Sequence, residues 1–262
     1  MVCTSGKCGS RPEHMLPREL LVASFFAQSV VVFASNGGYL GGLTNVEVGE
    51  KYRTLFMPAG WAFAIWGLIY AWELAAYGSA LFDPHPSPQL EAAAVYLIAA
   101  NASQLLWAVA FCREWLRASC VFIAGIAAAL ILAAEELRGG PDARTFGYVT
   151  SLHGGWVLAA TLLNFNLVAA RDGGERVQLA AAFASAYAAL APGAVACATR
   201  GDAAFALAIA WALVAVGAEV ADGEDAARGA LRLTAFGAAG ALLWLAASAV
   251  LFDYVEGWHG EL

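Results

Sequence analysis

The run MPAGWAFAIWGLIYAWELAAYGSALF, Met57 to Phe82, decides the fold class. About 20 apolar residues in a helix cross roughly 30 Å of hydrocarbon, and this run is long enough and apolar enough to do so. Yet it carries Glu73 close to its middle. A carboxylic acid at that depth is costly unless it meets a cavity or a partner, so Glu73 marks a candidate site. The same ruler, moved outward, finds eight spans, at about 19–39, 56–82, 91–112, 115–135, 146–170, 177–199, 202–221 and 229–252. The first is the weakest, because glycines and an asparagine in SNGGYLGG end it. Short breaks such as DPHPSP from Asp83 and RDGGER from Arg171 separate the spans, which implies an up-and-down array.

Composition agrees. Apolar residues make up 61% of the 262 and charged residues 13%, about half the charge of an ordinary soluble domain. Alternating strand patterns are absent, and in lipid the backbone must be satisfied internally, so the spans are helices. The fold class is therefore all-α, a polytopic transmembrane helix bundle. A net charge of -7 offers no basic face and excludes nucleic acid as a partner. Membrane lipids are the expected surroundings. The five cysteines, Cys3, Cys8, Cys112, Cys120 and Cys197, are scattered without zinc or disulfide spacing. The polar tail 1–18 lacks the apolar core and cleavage site of a secretory signal, so the first span reads as a retained anchor. Basic residues slightly favour the side opposite the termini, which points the termini away from the cytoplasm.

Polar residues inside the spans fall on stripes. Trp66, Tyr70, Glu73 and Tyr77 follow at spacings of four, three and four, one face of a helix that Phe63 extends. His153, Trp156, Ala160 and Asn164 form a second stripe in the fifth span. Asn101 and Gln104 share a face of the third, with Trp107 one step round. Two readings follow. The stripes could wall a cavity in which aromatic rings supply flat apolar area and a few amides orient a ligand. They could instead pack on and satisfy one another. In the first reading Glu73 lines or borders the cavity, where it could bond a ligand or exchange a proton. His153 is alone at its depth in the sequence; it is either a satisfied core histidine or a ligand to a haem iron or chlorophyll magnesium. No catalytic residue is assigned, since no nucleophile–histidine pair, HExxH, GxSxG or phosphate loop occurs, and no metal site is assigned. The last three spans are rich in Ala and Gly; Gly237 and Ala241 stand at the spacing that permits close helix contact.

The stretches YRTLFMPAGWAFAIWGLIY from Tyr52 and GGWVLAATLLNFNLVAA from Gly154 resemble the second and fifth helices of the tryptophan-rich sensory protein and translocator protein family. The matching positions are Pro58, Trp66 and Tyr70 in the one, and Trp156 with Ala160, Thr161 and Asn164 in the other. The resemblance implies a five-helix membrane core over 19–170 that binds tetrapyrroles such as porphyrins or chlorophyll-type pigments, and sterol-like ligands in animal members. It also implies a pocket lined by Trp61, Trp66, Tyr70, Trp156 and Asn164. With the stripes, the candidate ligand residues become Trp61, Phe63, Trp66, Tyr70, Glu73, Gln104, Trp107, His153, Trp156 and Asn164. Three additional helices over 171–252 and a polar tail over 253–262 lie outside that core. The expected function is tetrapyrrole or lipid binding for sensing, transport or scavenging. The alternatives are a structural or assembly subunit of a larger, pigment-bearing membrane complex, and an enzyme that degrades a bound tetrapyrrole. A homodimer or larger membrane complex belongs to these expectations.

Overall fold

The computed structural model describes residues 18–83, 85–220 and 225–259, the side chains of 253–259 excepted. The tail with Cys3 and Cys8 lies outside the described residues. Among the described residues the regular structure is all helical, with no strand. The helices are α1 (Arg18–Asn36), α2 (Asn45–Lys51), α3 (Ile65–Phe82), α4 (Pro88–Cys112), α5 (Leu116–Leu137), α6 (Gly147–Asp172), α7 (Glu175–Arg200), α8 (Ala203–Glu219) and α9 (Ala226–His259). Six of them, α1, α4, α5, α6, α7 and α9, are long and apolar enough to cross a membrane. The 17-residue α8 is apolar but shorter. Of the eight spans expected, those at 56–82 and 202–221 become α3 and α8, which fall outside these six; α3, with Glu73, has a shorter regular stretch than the sequence suggests.

That shortening has a local cause. The span expected from residue 56 becomes α-helical only at Ile65, after a 3-10 turn at Gly60–Ala64. Pro58 has no N–H to give and disfavours helix at the residue before it, so the chain enters α3 through an irregular segment. A second element escapes hydropathy altogether. The short α2 starts at a capping box, where Thr44 Oγ1 accepts from the Glu47 N–H and the Glu47 carboxylate accepts from the Thr44 N–H. The T-x-x-E signature of that box is visible in the sequence.

Helices α1, α3, α6, α5 and α4 close into a ring in that spatial order, with α4 returning to α1. Helix α8 packs on α6, and α7 and α9 pack on α8 and on each other. Short connections make sequence neighbours antiparallel. The first connection is fastened to the α4–α5 turn: Leu43 N–H donates to Cys112 O at 3.0 Å. Gly42 is needed there, since a Cβ would stand 2.2 Å from that same carbonyl oxygen. The last three helices pack through small residues, but not at Gly237 and Ala241, which both face outward. Ala235, Ala238, Ala239 and Leu242 are the buried face of α9. Close approach occurs at Gly193, where a Cβ would meet Leu242 at 2.7 Å, and at Gly217, where it would meet Phe236 at 2.9 Å.

Candidate functional site

A cavity of about 610 Å³ enters the ring at the end where α1 runs into α2. That volume is in the usual range for small-molecule sites. Because α3 and α6 are antiparallel neighbours, their aromatic stripes face each other. Trp66 and Trp156 meet edge to face with ring centroids 6.2 Å apart, and Phe63 stands perpendicular to Trp156 at 5.7 Å. Tyr70 lies beside Trp66 at 5.6 Å, and α4 brings Trp107 to the opposite wall. Edge-to-face packing fixes these rings relative to one another.

The amides at the cavity are held by the frame. Gln104 Nε2 donates to the Tyr70 hydroxyl at 2.9 Å, and that hydroxyl donates to Gln28 Oε1 at 3.4 Å. Asn164 Oδ1 accepts from Trp107 Nε1 at 3.3 Å and from Ser119 Oγ at 2.9 Å, while its Nδ2 donates to Ala160 O at 3.1 Å. Such networks fix orientation as well as satisfying buried polar groups. Of the ten candidate residues, Phe63, Trp66, Tyr70, Gln104, Trp107, Trp156 and Asn164 line the cavity.

Glu73 and His153 do not line it. Glu73 Oε1 and His153 Nδ1 bond to each other at 2.7 Å, with 6% and 2% of the residues exposed. Trp66 stands edge-on to the imidazole, centroids 5.4 Å apart, and touches the cavity itself. The expectation that Glu73 borders the cavity is thus corrected: a buried carboxylate takes the nearest polar partner, and the ring supplies one. His153 thus takes a partner from α3. The coincidence follows from antiparallel register. Glu73 lies seven residues after Trp66, His153 three before Trp156, so both sit on the same side of the tryptophan pair. Glu73 Oε2, His153 Nε2 and Trp156 Nε1 are buried without a hydrogen-bond partner among the described residues.

Trp61 also leaves the cavity. The 3-10 turn puts it out of phase with Phe63 and Trp66, and its ring meets Trp211 of α8 at 4.8 Å, edge to face. The part of α8 in the site was not visible from periodicity, since an apolar helix rich in Ala shows no stripe. At the cavity mouth stand Glu50, Arg53 and Glu219, with Arg53 paired to Glu219. Nearby, Glu114 bonds Lys51 and accepts from the Tyr52 hydroxyl at 2.7 Å; these two hold its carboxyl below its ordinary value.

Residues 18–248 match the model of a family described as TSPO-like protein, a range that takes in α7, α8 and most of α9 as well as the ring. No curated protein and no solved structure gives a significant match.

Proposed function

The chain belongs to the TSPO-like protein family and is a multi-pass integral membrane protein; from that premise we propose that it binds a tetrapyrrole (porphyrin-like) or lipid ligand in the cavity between α3 and α6. Sensing, transport or scavenging is the role such binding serves. One observation carries the reading: a cavity of about 610 Å³ inside a membrane bundle is walled by Phe63, Trp66, Tyr70, Trp107 and Trp156. Flat rings suit a flat apolar ligand. Few polar groups face it, and Gln104 and Asn164 are held in place by neighbours, which favours one ligand orientation over many. A bound porphyrin supplies a strong visible absorption, and the chain's residues only bind and orient it.

The mouth of the cavity lies on the side that holds Lys51, Arg53, Arg113, Arg117 and Arg171. Basic loops favour the cytoplasmic face, so the ligand enters from that side on this reading.

The test is titration of the purified protein with protoporphyrin, followed by the shift of the porphyrin absorption band. Saturable binding is expected, weakened about five- to ten-fold in Trp66→Ala and in Trp156→Ala, the size of a lost aromatic contact. Linear, nonsaturable uptake that is equal in all three proteins would sink the proposal.

A further inference from the structure

We propose that α8 is the latch of the cavity, with Trp211 and Glu219 as the residues that position its roof. The proposal rests on the cavity being the ligand site. The roof is the irregular segment 53–64, which contributes Arg53, Met57, Pro58, Gly60 and Phe63 to the lining. Non-helical backbone at a membrane bundle needs partners from its surroundings, and α8 supplies them in three places. Trp211 Nε1 donates to Ala62 O at 2.9 Å, Ala215 O accepts from the Ala59 N–H at 3.0 Å, and Glu219 pairs with Arg53.

Residues 211, 215 and 219 are four apart, so one face of one helix grips the roof at 62, 59 and 53 in turn. The chain before the roof is tied elsewhere, through Leu43 to Cys112 and through Lys51 and Tyr52 to Glu114. The piece left for α8 to hold or release is therefore 53–64. Its three fastenings are unequal. The Arg53–Glu219 pair is the outermost and the wettest, with 67% and 30% of the two side chains exposed. Exposed pairs are weak and screened by salt. The roof opens from the Arg53 end, and the Trp211 bond with the Trp61–Trp211 ring contact is the inner stop. Opening at that end uncovers the cavity mouth, where Arg53 and Glu219 themselves are lining residues.

Two readouts test this on the full chain in detergent: amide hydrogen exchange over residues 56–64 without ligand, and protoporphyrin association and dissociation rates. Trp211→Phe keeps an aromatic ring at the position and removes the N–H. Exchange in 56–64 and porphyrin dissociation should both quicken about five- to ten-fold, with α4 and α5 unchanged. In the wild type the association rate should rise with salt, and Glu219→Gln should flatten that dependence. Unchanged exchange in Trp211→Phe overturns the proposal, and so does faster exchange with unaltered porphyrin rates. If protoporphyrin binds to no variant, the ligand reading falls on its own; the exchange result then decides whether α8 holds the roof.

Discussion

His153→Leu is expected to destabilise the protein by about 1–3 kcal/mol, the cost of leaving a buried carboxyl group without its hydrogen-bond partner. The imidazole is the only hydrogen-bond partner that the described residues give the Glu73 side chain. Tyr70 and Tyr77 flank Glu73 on its own helix, but their hydroxyls are engaged with Gln104 and Asn101. With leucine at 153 the carboxyl would keep its burial and lose its only bond. The double variant Glu73→Leu with His153→Leu should recover most of the loss, because replacing both partners by apolar groups of similar volume leaves no buried polar group unsatisfied. Thermal unfolding of the detergent-solubilised protein, followed by loss of the monodisperse species, measures both. A double variant as unstable as the single one would show that packing, rather than pairing, is what His153 supplies. The pair therefore accounts for the buried acid of α3: a second helix of the ring brings its partner.

Much of this was legible in the residues, and the part that was not has physical causes. Apolar run length gave the long helices, because the bilayer fixes how many residues a span needs. The stripes gave the cavity walls, because helical periodicity is local and survives into the fold. Trp66, Tyr70, Trp156 and Asn164 needed nothing more. What escaped depends on pairs of elements. Glu73 meets His153 only because α3 and α6 are antiparallel and adjacent, and no single stripe states its neighbour's register. Trp61 belongs to the same sequence run as Trp66, but Pro58 and the 3-10 turn after it change the phase, so its ring turns to α8. Helix α8 offers mostly Ala, Leu and Val, which look alike on every face. Its role is carried by Trp211, Ala215 and Glu219, and two of those act through bonds to or from backbone atoms.

The crossing of α6 and α8 leads to the second large effect. Gly155 lies one residue before Trp156, and a Cβ built on it would stand 2.3 Å from the carbonyl oxygen of Phe205 and 3.0 Å from the Ala208 methyl. The first obstacle is backbone and cannot rotate away. Alanine at this position gains up to about 1 kcal/mol of helix propensity over glycine. Overpacking against a fixed neighbour costs typically 1–3 kcal/mol and here falls at the top of that range or above. Gly155→Ala is expected to lose about 2 kcal/mol net. Gly154→Ala is the matched control: its Cβ would meet Leu130 at 3.4 Å and Phe205 ring atoms at 3.6 Å or more, ordinary contacts, so its stability should hold or rise slightly. The same two variants separate stability from function. Moving α8 off α6 shifts the face that carries Trp211, Ala215 and Glu219, so Gly155→Ala should also quicken amide exchange over 56–64, where Gly154→Ala leaves it as in the wild type. Equal melting and equal exchange for the two variants would mean that α6 and α8 do not touch as closely as the backbone contact at Phe205 requires.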